Sequence, residues 1–436
     1  MALIINIIAA LILFCYPYKY YGAGKIVTAP HPFNRLKQIY INPELGFLVF
    51  SVLTAMVFLG PLSLVKYAYW IVFLMILAFS RLEIKMGAIV GSYLLFVAWA
   101  VVSALLFSSV KFQALMMLIK YLLPLFYIWL GYTAITDSDD LEYFMSRTTV
   151  GMCVYALIIG GFSAKFLTPL YVFLNFSTGA LFISFASLAD YFSGLIVIPI
   201  GLYIVTRKKK WLYAALWVLL STLLETVRTG LGGIFLASSF LILTMFRLKA
   251  VPWIAGLVVV AVAIVFSVPS FREKMFTNED TTFESFSVSD ANFDNIQSNA
   301  RGYLWDMNMK RFYDPHPITG SGLGESVEYT KDHTILKLIH SDYVQILCDL
   351  GLIGIALFGL FVLVTLSSII STAWSSNAPF ILKLTGGMAL GSCAGTFFSM
   401  AFDNVIAYAQ QSFVLPFILI GIYLKVKDLY ETGQWS

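Results

Sequence analysis

The sequence predicts an all-α polytopic membrane protein, and three observations carry that expectation. Hydrophobic residues make up 59% of the 436 positions and charged residues only 12%, whereas a soluble domain carries about 25% charged residues. Apolar runs of about 16 to 24 residues, the length a helix needs to cross roughly 30 Å of hydrocarbon, recur along nearly the whole chain. A transmembrane barrel would instead show alternating strands of about ten residues.

In chain order, the runs between charged or Gly/Pro-rich breaks predict helices near 2–17, 46–64, 66–80, 86–107, 115–135, 148–163, 191–206, 211–226, 230–246, 250–268, 343–372, 383–402 and 406–424. The expectation is therefore about 12 to 14 spans. The first run lacks a basic flank and a small-residue cleavage site, so it reads as a retained helix rather than a signal peptide. Gly60, Pro61 and Lys66 separate the second run from the third. Residues 164–194, which end in "SLADYFSG", read as a partly embedded connection. Cys15, Cys153, Cys348 and Cys393 lie inside apolar runs without CxxC spacing, which suits small core residues better than metal ligands.

Positive charge orients the bundle. With Arg207–Lys210 in the cytoplasm, the basic residues of 18–45, 81–85, 247–249 and the C-terminal tail share that side. Together with Arg147 and Lys383 they bring 16 of the 28 Lys and Arg residues inward. The net charge of +4 is spread over short connections, and no face is basic enough for nucleic acid. This divides the chain into N-terminal transmembrane helices (1–268), one long outward loop (269–342) and C-terminal helices with a cytoplasmic tail (343–436).

A loop of roughly 70 residues is far longer than an ordinary connection. Residues 277–296 are polar and acidic and read as a flexible surface segment. The stretch "ARGYLWDMNMKRFYDP" then spaces Trp305, Met309 and Phe312 at i, i+4 and i+7, with Arg301 one turn earlier and Asp314-Pro315 as a stop. That pattern predicts an amphipathic helix lying on the membrane surface. "HPITGSGLGES" follows as a Gly-rich turn, and without GxxxxGK[ST] it is not a nucleotide-binding loop.

Three ionisable positions stand out on the outward side. Arg228, in "LLETVRTGLGG", sits between two apolar helices, where a retained charge either faces a cavity or partner or snorkels to the headgroups. Glu225 is its expected partner on one helical face. Arg301 heads a cationic group with Arg272, Lys274, Lys310 and Arg311, suited to a lipid-linked diphosphate or to ordinary headgroups. His340, in "KLIHSDYVQILCDLGLIG", carries an imidazole, the usual side chain for moving a proton near neutrality. If helix already runs there, Lys337 shares its face and favours the neutral imidazole, and Asp342 is a cap or an acceptor-binding group. HExxH is absent, and Asp137-Ser138-Asp139 falls on the inward side as a solvated loop end, so no metal-dependent reaction is indicated.

The order of these pieces is more informative than any one of them. "VRTGLGG" in a helix hairpin, "ARGYLWDMNMKRF" in a long outward loop, then "TGSGLG", then "HSDYVQILCDLGLIG" entering a helix: this resembles the O-antigen polymerase and O-antigen ligase superfamily of bacterial inner membranes, over residues 225–365. The resemblance implies a GT-C-like enzyme, without cofactor or metal, acting at the periplasmic face on undecaprenyl-diphosphate-linked glycans as donor and acceptor. It implies His340 as the base on the acceptor hydroxyl and Arg228 and Arg301 as ligands of the donor diphosphate. Tyr343 and the neighbouring charged residues would support them. Val227 stands where serine is common in the superfamily, and Ser341 where asparagine is frequent. The likeness of "HSDYVQ" points to a polymerase of repeat units; a ligase transferring the glycan to lipid A core is the alternative. Membrane lipids and other polysaccharide assembly proteins are the implied partners. A lipid-linked sugar transporter is the reading from another class, and it would show internal repeats that the sequence does not display.

Overall fold

The computed structural model describes residues 26–27, 38–39, 43–55, 87–166, 185–267, 301–334 and 337–435. The runs expected at 2–17 and 66–80, the second half of 46–64, residues 277–296, Arg272 and Lys274 lie outside the described residues. Among those described, the only strands are a two-residue antiparallel pair, β1 (Ile26–Val27) with β2 (Gln38–Ile39). Everything else regular is helix. Six stretches are long and apolar enough to cross a membrane: Ala88–Leu106, Lys111–Ala134, Ser187–Thr206, Arg228–Ala263, Asp342–Ala373 and Phe380–Ser399. The chain is an all-α polytopic membrane protein.

The helices in order are α1 (Pro43–Thr54), α2 (Ala88–Leu106), α3 (Lys111–Ala134), α4 (Ser138–Ile158), α5 (Gly161–Phe166), α6 (Phe185–Leu195), α7 (Val197–Thr206) and α8 (Lys209–Glu225). They continue as α9 (Arg228–Phe246), α10 (Val251–Ser267), α11 (Arg301–Asn308), α12 (Glu325–His333), α13 (Asp342–Ala373), α14 (Phe380–Ser399) and α15 (Leu415–Glu431). Three expectations change here: the run expected from 406 begins as α-helix only at Leu415, after a π-turn at Ala409–Phe413. Helix α4 starts ten residues earlier than its apolar run, because Asp137 is a helix N-cap whose carboxylate accepts the Asp140 amide at 2.9 Å. The stretch read as a connection ends in α6, which continues into α7 as one span.

Lipid tails are as apolar as the helices, so association relies on close packing of small residues. The α9–α14 contact is the most extensive in the bundle. A Cβ on Gly391 would stand 2.4 Å from the Ala237 carbonyl oxygen, so the two backbones touch. Gly131 of α3 and Gly421 of α15 meet each other's helix backbones in the same way. Outer faces carry exposed Leu105, Phe112, Trp253 and Val259, as a lipid-facing surface does.

Helix α13 is broken. Gly351 adopts φ 65° and ψ −164°, so a short first segment, 342–350, meets the membrane-crossing part at a kink. A break leaves backbone groups without partners, and the Gly-rich turn supplies them. The amides of Ser321 and Gly322 donate to the carbonyls of Cys348 and Asp349 at 2.9 and 3.2 Å, and the amides of Leu352 and Ile353 donate to Pro317 and Ile318 at 2.9 and 3.2 Å. Buried Asp349 accepts from the amides of Gly324 and Ser326 at 2.9 and 3.0 Å. The indole of Trp99 reaches the Leu350 carbonyl at 2.9 Å.

The surface helix also differs from its expected form. Regular α-helix ends at Asn308 and a π-turn, Met309–Tyr313, follows. The buried residues are Leu304, Asn308 and Phe312, while Met309 is not buried, so the inward stripe runs at i, i+4 and i+8.

Candidate active site

Three of the residues picked out from the sequence, Arg228, Arg301 and His340, are linked through a series of charged neighbours. Helices α8 and α9 meet in a tight turn at Thr226, which takes φ 55°, and Arg228 is the first residue of α9. Glu225 and Arg228 therefore belong to different helices and share no helical face. Glu225 accepts the Gly161 amide at 3.1 Å instead, joining α8 to α5. Val227 provides no side-chain cap, so the Arg228 side chain and the N-terminus of α9 form one positive corner. The far end of α9 is anchored separately, by Arg247, which donates to the carbonyls of Trp374 and Ser375.

Arg301, first residue of α11, is half-buried like Arg228. The two guanidinium groups are close enough to repel one another electrostatically. Arg301 also acts on the carboxyl of Asp190, which is wholly buried on α6 beside the Ser399 hydroxyl. Asp190 in turn feels Asp403, from the connection between α14 and α15. Asp403 Oδ1 lies 3.6 Å from His340 Nδ1, an ionic contact slightly longer than a hydrogen bond. An unbroken electrostatic chain thus runs Arg228, Arg301, Asp190, Asp403, His340.

His340 is not helical. The loop 337–341 precedes α13, and both Lys337 and His340 adopt positive φ, 55° and 59°. Lys337 is exposed, so the shared helical face expected for it does not exist. Ser341, not Asp342, caps α13, accepting the Val344 amide at 3.4 Å. Asp342 is wholly buried, which removes it from direct contact with an acceptor. It acts as a brace: its amide donates to Met400 at 2.8 Å and its carboxylate accepts the Ile406 amide at 3.1 Å, so the backbone either side of Asp403 is tied to the start of α13, beside His340. Lys120 of α3 faces Asp342 electrostatically from the opposite side. The Tyr343 hydroxyl donates to the Phe397 carbonyl at 2.8 Å, a further tie to α14. Arg311 is turned to a different partner, with its guanidinium 4.2 Å from the centre of the Tyr329 ring.

Two acidic residues of this series escape a sequence reading. Asp190 carries a usable signal, an acid among apolar residues in "FASLADYFSG". Asp403 carries almost none, because an acid in a short break between two apolar runs resembles any turn.

Residues 212–359 match the family model described as O-antigen ligase. That match is consistent with the O-antigen polymerase and ligase superfamily, which the sequence resembles. No curated protein matches the chain. The superfamily match runs from α8 into α13 and so contains Arg228, Arg301 and His340, while Asp190 and Asp403 come from outside it. The matched family implies a glycosyltransferase-type enzyme of O-antigen processing, and the six apolar helices suit a multi-pass membrane protein.

Proposed function

We propose that the protein polymerises undecaprenyl-diphosphate-linked oligosaccharide repeat units, of O-antigen or a related surface polysaccharide, at the periplasmic face of the bacterial inner membrane. One observation carries the reading: a cationic corner, Arg228 with Arg301, is linked through charged neighbours to a histidine whose Nδ1 faces a carboxylate at 3.6 Å.

In this reaction Nε2 of His340 takes the proton of an acceptor sugar hydroxyl, and that oxygen bonds to the anomeric carbon of the donor. The bond from that carbon to the lipid diphosphate breaks, with its electron pair left on the phosphate oxygen. Asp403 opposite Nδ1 favours a proton on that nitrogen and leaves Nε2 free to accept. Fixed guanidinium groups offset the charge that develops on the leaving group, which is why the proposal needs no metal ion.

The family model's description favours a second reading, a ligase whose acceptor is a lipid A core sugar. The test supplies purified protein with a lipid-diphosphate oligosaccharide, with and without core acceptor. Elongation without core acceptor is expected, and transfer only to core would select the ligase. His340→Ala is expected to lose about a hundredfold or more in rate, as removal of a general base does. Arg228→Ala and Arg301→Ala should weaken use of the donor. Full activity in His340→Ala would overturn the assignment of the base.

A further inference from the structure

We propose that Trp305 is a positioning residue that holds the His340 imidazole at its working angle and fastens it to the helix of Arg301. The inference rests on His340 being the base and adds the part that orients it.

The indole Nε1 of Trp305 donates to the carbonyl of Ile339 at 3.0 Å. That carbonyl and the amide nitrogen of His340 belong to one rigid peptide plane. The φ angle of His340 is the rotation between this plane and the Cα bearing the imidazole, so a grip on the Ile339 carbonyl helps fix the direction in which Cβ leaves the backbone and hence the base from which the ring projects. His340 has φ 59°, a left-handed conformation that an L side chain adopts only when its surroundings hold it there. The other flank is already held, by the Asp342 amide on Met400 at 2.8 Å and the Ile406 amide on Asp342 at 3.1 Å. Trp305 completes a two-sided clamp.

Its place on α11 gives the clamp a second consequence. Trp305 lies four residues, about one turn, after Arg301. The arginine proposed to hold the leaving diphosphate and the peptide that aims the base are therefore parts of one rigid piece. Ile339 itself is buried, so its carbonyl depends on the protein for a donor. A tryptophan serving only to fill space would not require its N–H at this carbonyl.

The test compares Trp305→Phe with wild type in the lipid-diphosphate transfer assay, since phenylalanine keeps an aromatic ring and removes the donor. The expected result is a kcat lower by about ten- to a hundredfold, as for a misaligned catalytic group, with donor KM changed less than about threefold and thermal midpoint retained. Replacing tryptophan by benzothienylalanine, which changes only N–H to sulfur, should reproduce that split and serves where Trp305→Phe does not fold. Unchanged kcat, a loss confined to KM, or a loss accounted for by unfolded protein would overturn the proposal. Activity in His340→Ala equal to wild type would instead overturn the assignment of the base, and this proposal with it.

Discussion

At the scale of single residues, His340 combines a reactive side chain with an uncomfortable backbone. A positive φ costs an L-residue about 1–2 kcal/mol relative to glycine, and the loop accepts that cost at the very position where the imidazole faces Asp403. Strain kept at a site over-determined by its neighbours often accompanies function. His340→Gly is accordingly expected to keep or raise the thermal midpoint while abolishing transfer, and millimolar imidazole should restore part of the rate. A marked loss of stability would show that the loop depends on the ring for its fold, and an active glycine variant would dismiss the imidazole as base. Asp403→Asn is the companion substitution. It keeps the size of the carboxylate and removes its charge, so kcat should fall while donor KM stays near wild type.

At the scale of elements, the break in α13 and the Gly-rich turn are one construction, with the end-groups of the break answered by backbone groups of residues 317–322. Gly351→Ala would force a Cβ to within 2.4 Å of the Gly320 nitrogen and the Ile318 oxygen at a positive φ. The expected cost is at least about 2 kcal/mol, visible as a lower thermal midpoint in detergent and as faster proteolysis of residues 317–326; an unchanged midpoint would refute the role assigned to the turn. This construction also shows what sequence can and cannot reveal. Apolar run length located the long described helices, because the width of a membrane is written directly into the length of a span. The break at Gly351 was illegible, since "CDLGLIGIALFG" is continuous in hydropathy and the reason for the break lies about thirty residues upstream in "PITGSG". The π-turn at 309–313 was illegible for a related reason: one extra residue in a turn leaves composition and hydropathy intact. For the site, an Arg or His in an apolar context announced itself, while the carboxyl partners did not, because Asp190 and Asp403 meet only through the packing of α6 against the neighbouring α14 and its following connection.

For the whole molecule, the proposed roles place binding and chemistry on different elements. The two half-buried guanidinium groups repel one another, so a doubly charged phosphate bound between them would relieve repulsion as well as gain hydrogen bonds. The histidine and its carboxylate belong to other elements, the loop leading into α13 and the α14–α15 connection, and the bound phosphate would not need them. Any ligand that binds only the folded state raises its stability, by about 2.7 kcal/mol at a hundred times its Kd. A short-chain prenyl diphosphate, which has the donor's leaving group and no sugar, should therefore raise the thermal midpoint of the wild type by several degrees. His340→Gly should gain the same rise despite its inactivity, whereas Arg228→Gln and Arg301→Gln should gain little or none. A prenyl monophosphate should give a smaller rise than the diphosphate in the wild type, because bidentate contacts to two phosphate groups are what the arginine pair offers. An equal rise in either arginine variant would move the diphosphate elsewhere, while a rise lost in His340→Gly would mean that the two halves of the site are not separable in this way.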